Sequence, residues 1–322
     1  MKSLNPTVWI EQSLKEQGIK LTGEITATHR RPWSTVLHVP TDSGDVYFKA
    51  VGPPFAFEPP LTDVLYHLYP DCIPRVFAVD PNRGWILTAD GGQSLRQAFK
   101  NGLDRQTWNE VLALYGGLQI DLAARVDSLL ALGTRDRRTS KPPELYKALL
   151  EEKEWLLLDQ KDGLTTADYR RLVNMLPQVE AMCRQLAAYA VPDSLHHNDL
   201  HDANVFYNNG AITFFDWGDS SIAHPFFSLR TVFVSMEYSF DLEEDDPIFD
   251  EFAWAYLLPW LVYETEEDLW QAYRLASRQW SLSSAVKYKT QMQQIAEMRQ
   301  EYATAVPGLL LEFLAKNPNY SL

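Results

Sequence analysis

The chain has 322 residues, long enough for two lobes or domains, and its 46% hydrophobic and 22% charged residues are those of a folded protein with a sizeable interior. With 43 acidic against 29 basic side chains the formal charge is -14, which excludes a nucleic-acid phosphate backbone as principal partner and suits a neutral or cationic ligand. Two cysteines, Cys72 and Cys183, stand in no metal-ligand or redox spacing and fit a reducing cytoplasm.

At the N-terminus Pro6, Glu11 and Lys15 interrupt any secretion-type apolar run, and Phe252 to Val262, cut by Pro259, is too short to span a bilayer. A cytoplasmic protein without membrane contact is expected. From Lys20 to Val51 the pattern is β-like, with Thr35 to Val39 and Val46 to Val51 flanking the turn Thr41-Asp42-Ser43-Gly44. After Pro59 and Pro60, Leu61, Val64, Leu65 and Leu68 recur at helical spacing, and Val76 to Val79 and Trp85 to Thr88 read as two more strands.

Paired glycines in Asp90-Gly91-Gly92-Gln93-Ser94 make the best break, so residues 1–90 are expected as a small β-rich lobe and 91–322 as a larger helical one. Helices are expected near 104–127, 144–160, 167–189, 248–262, 267–280 and 283–303, with a capping box at Thr165 to Asp168. One β interruption follows: Val205-Phe206-Tyr207, the turn Asn208-Asn209-Gly210, then Ala211 to Phe215.

Chemistry concentrates around that hairpin. His197-Asn198-Asp199-Leu200-His201-Asp202-Ala203-Asn204 reads H-x-D-x-x-x-x-N, and the hairpin delivers Asp216 twelve residues after Asn204. A three-residue turn would put Asn204, Phe214 and Asp216 on one face of the ribbon, where an amide oxygen and a carboxylate suit Mg²⁺. Phosphoryl transfer needs little more: a cation on the phosphates and a carboxylate to orient the attacking hydroxyl. Asp199 can be that carboxylate. Lys49, at the end of Val46-Tyr47-Phe48, is placed to meet phosphates, and Glu58 just beyond can aim it through an ion pair.

Here the chain resembles the phosphotransferase enzyme family typified by aminoglycoside phosphotransferases and related to choline, homoserine and fructosamine kinases. Its carriers are Val46 to Ala50 around Lys49, Glu58, the strand from Trp85 to Asp90, the loop from His197 to Asn204, and Asp216-Trp217-Gly218-Asp219. The resemblance implies an α+β, bilobal, protein-kinase-like fold and transfer of the ATP γ-phosphate to a hydroxyl of a small molecule, with GTP as an open alternative donor. It implies Asp199 as catalytic base, with His197 holding the backbone around it, Asn204 and Asp216 as Mg²⁺ ligands, Lys49 on the α- and β-phosphates, and backbone groups near Ala89 on adenine.

The chain departs from the family twice. The segment His29-Arg30-Arg31-Pro32-Trp33-Ser34-Thr35 has no glycine for a phosphate loop; Ser34 and a neighbouring arginine are the expected substitutes, and His29, Arg30 and Arg31 otherwise read as surface charge. Ser228, in Ala223-His224-Pro225-Phe226-Phe227-Ser228-Leu229, replaces an acidic residue and is expected to weaken a structural hydrogen bond. The seven carboxylates between Asp241 and Glu251 suggest a cationic, amine-bearing acceptor. Two other readings stand beside this one: a metal-dependent phosphohydrolase built on His196, His197, His201 and Asp202, and a non-catalytic kinase-shaped binding module. The sequence sets no oligomeric state.

Overall fold

The computed structural model describes residues 5–100, 102–208 and 210–318. It opens on a helix the sequence reading did not anticipate, α1 (Pro6–Glu16), with Pro6 in its first turn and the Asn5 side chain accepting from the Thr7 amide. Strands β1 (Thr26–Arg31), β2 (Ser34–Thr41) and β3 (Gly44–Val51) follow, then α2 (Glu58–Leu68), β4 (Val76–Asp80) and β5 (Trp85–Ala89). These five strands form one antiparallel sheet in the order β1-β2-β3-β5-β4. Alternation in β3 buries Val46 and Phe48 on one face, where Ile10 and Leu14 of α1 join them with Val39 and Leu87. The opposite face is left to Tyr47 and Lys49.

Next come β6 (Gln93–Ser94), α3 (Leu95–Ala98), α4 (Arg105–Ala123), α5 (Val126–Ala131) and β7 (Arg135–Asp136). After α6 (Pro142–Glu151), α7 (Thr166–Asn174), α8 (Leu176–Leu186) and β8 (Ser194–His196), the hairpin β9 (Val205–Asn208) and β10 (Ala211–Phe214) leads into β11 (Ser221–Ala223). The chain closes with α9 (Phe227–Phe240), α10 (Ile248–Leu257), α11 (Glu266–Gln294), α12 (Ala296–Glu301) and α13 (Ala305–Lys316). None of the helices among the described residues is long and apolar enough to cross a membrane.

The chain groups into two compact units. One comprises the residues up to Leu103 with Ala131–Thr134 and Asp199–Asp219; the other comprises Asp104–Leu130, Arg135–Asn198 and the residues from Ser220 onward. The first holds the five-stranded sheet and a second sheet, β10-β9-β6. The second is helical around α4 and α11, with the short sheet β7-β11-β8.

Several helices differ from expectation, each for a local reason. The 144–160 helix stops at Glu151, where Glu152 leaves helical geometry with ψ of 71° and a 3₁₀ turn follows, and left-handed backbone at Leu157, Asp159 and Asp162 keeps the rest of the span from being helical. The 167–189 helix divides at Met175, ahead of Pro177, which can donate no helical hydrogen bond. Helix α10 gives way at Leu258 to a 3₁₀ turn holding Pro259. Conversely, the expected break near Ser281 is absent: Gln279, Trp280, Ser281, Leu282 and Ser284 are all buried, and packing overrides the weak helix preference of serine. The Thr165–Asp168 capping box forms as read.

The second unit buries His196, His197 and His224, and two of them are driven down by burial. His196 sits with Nδ1 2.9 Å from Ser228 Oγ, and His224 accepts the Phe226 amide on its Nδ1 at 3.3 Å beside Phe226 and Phe227. Burial drives both imidazoles down, His224 to about 3 and His196 well below its ordinary value, with Lys287 and His197 adding to the latter. Since the unfolded chain takes up these protons near pH 6.5 and the folded one does not, each histidine costs stability as pH falls below that value. His224→Gln should therefore flatten the stability profile by about 1.4 kcal/mol per pH unit between roughly pH 6 and 4. Urea midpoints across that range check this, and parallel profiles would contradict it.

Candidate active site

Lys49 projects from the outward face of β3, between Val36 of β2 and Ile86 of β5. Its Nζ lies 2.6 Å from Glu58 Oε1 and 2.8 Å from Asp216 Oδ1. Glu58 opens α2, where the helix dipole favours a carboxylate, and is only 4% exposed. Burial pushes its carboxyl up to about 7 against the pull of Lys49, with Asp216 adding to the rise. Burial alone would lower Lys49, but Asp216 and Glu58 outweigh it and hold the amine above its ordinary value as an ammonium. The turn after Asp216 approaches closely: a Cβ on Gly218 would lie 2.9 Å from Glu58 Oε2, so glycine is the residue that fits.

Asp216 arrives by a route the sequence reading had wrong. In the hairpin Asn208 pairs with Ala211 and Val205 with Phe214, a two-residue connection rather than a three-residue one; Asn209 itself lies outside the described residues. Asn204 therefore opposes Phe215, whose amide donates to the Asn204 carbonyl at 2.9 Å, while Val205 and Phe214 are buried on the other face. Strand alternation would send Asp216 to that buried face. Its left-handed backbone, with φ of 60°, turns it back toward Lys49.

Between Asp199 and Asn204 the chain is tightly bonded. Asn204 Nδ2 donates to the Asp199 carbonyl at 2.8 Å and to its carboxylate at 3.0 Å. The Ala203 amide donates to His201 Nδ1 at 3.1 Å, which leaves Nε2 as the protonated nitrogen, 3.4 Å from Asp199 Oδ2. The Asp199 side chain keeps 41% of its surface exposed.

Lys49, Glu58, Asn204 and Asp216 line a cavity of about 680 Å³ within the first unit, whereas Asp199 and His201 are not among its lining residues. Val36, Ile86, Phe206 and Phe215 supply an apolar part, with the two phenylalanine rings 4.2 Å apart, and Tyr47, Thr88, Asp90 and Ser94 a polar rim. The cavity thus joins an ammonium held between two carboxylates and an adjacent amide to an apolar slot.

The sequence profile of the phosphotransferase enzyme family matches residues 60–280, more than half of the chain. The chain belongs to that family. The match begins beyond Lys49 and Glu58, so their pairing is read from the structure alone. No curated protein sequence matches the chain. Its fold is similar to that of choline kinase from Cryptosporidium parvum Iowa II, with TM-score 0.63 and 15% identity over 97% of this chain and 95% of that one. It is also similar to APH(2")-IIia in its GDP and kanamycin complex, with TM-score 0.62, 13% identity and 97% and 98% coverage. Macrolide 2'-phosphotransferase from Brachybacterium faecium gives TM-score 0.58, 16% identity and 98% and 99% coverage. The kinase-like α+β fold expected from the sequence is thus shown.

In this family member Ser34 lines the cavity beside Trp33, at a tight turn whose Pro32 offers no amide, while neither Arg30 nor Arg31 is among the lining residues. Ala89 does not line it. Its amide donates to the Arg75 carbonyl at 2.8 Å, and its neighbours Thr88, Asp90 and Gly91 border the space instead. His197 is fully buried, and its amide donates to Tyr115 Oη at 3.0 Å. Sequence reasoning missed Tyr47, Arg96 and His29 as lining residues. His29, read as surface charge, is brought to the cavity rim where a register shift interrupts β1 between Ala27 and His29.

The residues of the phosphohydrolase reading are engaged elsewhere. His196 faces Ser228, His201 Nδ1 takes the Ala203 amide, and Asp202 is held by Arg96. No group of three or more His, Cys, Asp or Glu that could hold a metal occurs among the described residues. Ser228 retains bonds at its position, being met by His196 and, at 3.3 Å, by Gln119 Nε2. Within the acidic run, Glu244 pairs with Lys316 and Arg230, Glu251 with Arg105 and Asn109, and Asp246 accepts from the Ile248 amide. Asp241, Glu243, Asp245 and Asp250 remain exposed.

Proposed function

We propose that the chain is a Mg²⁺-dependent small-molecule kinase that moves the γ-phosphoryl group of ATP or GTP to a hydroxyl, with residues 1–90 as the nucleotide-binding lobe and 91–322 carrying the catalytic loop and acceptor site. The observation that carries the reading is Lys49 Nζ bonded at once to Glu58 Oε1 and Asp216 Oδ1 in a cavity shared with Asn204. Glu58 aims the ammonium at the α- and β-phosphates, while Ser34 closes over them.

The donor set fits Mg²⁺. Because Asn204 Nδ2 is spent on Asp199, the amide oxygen is left as an acceptor, and with the Asp216 carboxylate it offers the oxygen ligands a hard cation prefers. When bound, the ion would neutralise charge on the phosphate oxygens. Asp199, oriented by Asn204 and flanked by His201, accepts the proton of the attacking hydroxyl. His197 acts through the loop as a positioning residue. The exposed carboxylates of the acidic run favour an amine-bearing acceptor, and choline and kanamycin, named with two of the similar structures, are hydroxyl-bearing cations.

Calorimetry with Mg·ATP and Mg·GTP tests the reading: one of them should bind, with affinity lost on chelation, and failure of both would reject it. The aromatic part of the cavity allows a sharper test. A Cβ on Gly91 would lie 2.4 Å from the Phe215 ring and 3.1 Å from that of Phe206, so both half-buried rings would have to shift. Gly91→Ala should therefore displace the rings and weaken nucleotide binding by about tenfold, roughly the 1.4 kcal/mol expected of a modest overpacking. Unchanged affinity would show that the base lies elsewhere.

A further inference from the structure

Asp202 lies in the middle of the loop between Asp199 and Asn204, has a side chain only 6% exposed, and has no part in the chemistry above. Its carboxylate receives a two-pronged contact from one guanidinium: Arg96 Nε to Oδ2 at 3.0 Å and Arg96 Nη2 to Oδ1 at 2.6 Å. A third bond runs through the backbone, from the Arg96 amide to the Asp202 carbonyl at 3.0 Å. Arg96 is itself fixed. It follows Ser94, whose hydroxyl accepts the Gln97 amide while Gln97 returns a bond to the Ser94 amide, and Ser94 pairs with Phe206 across β6 and β9.

We propose that Arg96 and Asp202 are a positioning pair that fixes the catalytic loop, so that Asp199 and Asn204 are held in register with Lys49 and Asp216. The inference rests on the functional reading above. Two parallel charge-assisted bonds define a plane as well as a distance, which a lysine cannot reproduce. Other bonds of the loop include Asn204 Nδ2 to the Asp199 carbonyl within it and the Phe215 amide, just after β10, to the Asn204 carbonyl. Arg96 ties its centre to a segment already anchored beyond it. Such support is what keeps catalytic groups within the small tolerance their reaction allows.

The test is a double-mutant cycle of Arg96→Gln, Asp202→Asn and the double variant, read by two measurements. Hydrogen exchange at the amides of residues 200–204, which requires neither nucleotide nor acceptor, should quicken about tenfold or more in each single variant, with the double variant no worse than the poorer single. Mg²⁺-dependent nucleotide turnover should fall about 10–100-fold in kcat with nucleotide KM nearly unchanged, and Arg96→Lys should recover only part of it. Additive effects in the cycle, unaltered exchange, or a loss confined to nucleotide KM would overturn the proposal. If the wild type neither binds nor turns over nucleotide while the exchange results hold, the functional reading fails and the clamp stands as a structural brace alone.

Discussion

Asp199→Asn is expected to lower kcat by about 10³, within the range that general acid–base catalysis supplies, while Mg·nucleotide affinity stays within about twofold of wild type. The substitution is nearly isosteric and keeps an oxygen for Asn204 Nδ2, which sits 3.0 Å from the carboxylate. On the proposed mechanism it removes the group that takes the hydroxyl proton. Orientation and proton acceptance matter in the transition state, so the loss belongs in kcat and leaves nucleotide binding untouched. Steady-state kinetics with a verified acceptor decide it. A variant with near wild-type kcat would remove Asp199 from the mechanism.

Lys49→Met should cost about 10²–10³ in kcat/KM, the scale measured when one preorganised donor to developing charge is removed. It should also leave a signature independent of activity. Glu58 is pushed up to about 7 by burial even with the ammonium 2.6 Å away, so without Lys49 its carboxyl rises further. A carboxyl held above its unfolded value binds its proton more tightly when folded. Its contribution is therefore present at low pH and lost as pH rises through the range from about 4.5 upward, at about 1.4 kcal/mol per pH unit up to the folded value. The variant should nearly match wild type in thermal stability near pH 5 and fall behind it near pH 8. Equal deficits at both pH values would mean that Lys49 does not offset the burial of Glu58.

Which parts of this site were legible in the sequence follows from what a linear pattern can record. Lys49, Glu58, Asp199, Asn204 and Asp216 stood out because each is a charged or amide residue at a fixed offset from a strand, a turn or a helix start. The hairpin itself was signalled by Asn209-Gly210, but its register was not. One residue of turn length decides which face every side chain takes, and the left-handed backbone at Asp216 that restores its aim leaves no mark in composition. Arg96 and Asp202 are separated by more than a hundred positions and meet only because β6 pairs with β9. Helix α1 is hidden for the opposite reason: Pro6, Glu11 and Lys15 break up an apolar run, yet proline in a first turn and charges on an outer face are compatible with an amphipathic helix. The serines of α11 misled similarly, since local preference cannot reveal a buried environment supplied by distant helices.

The central claim is that phosphoryl transfer occurs where Lys49 meets Glu58 and Asp216. Incubating wild-type protein with Mg·ATP or Mg·GTP and a panel of hydroxyl-bearing amines, and following phosphate-ester formation by mass spectrometry, tests it most directly. The account predicts a phosphorylated acceptor formed only with nucleotide and Mg²⁺ and absent with Asp216→Asn, because that change removes a ligand charge at the metal site without altering its shape. Ester formation undiminished by Asp216→Asn, or no nucleotide-dependent product from any acceptor despite correctly folded protein, would contradict it.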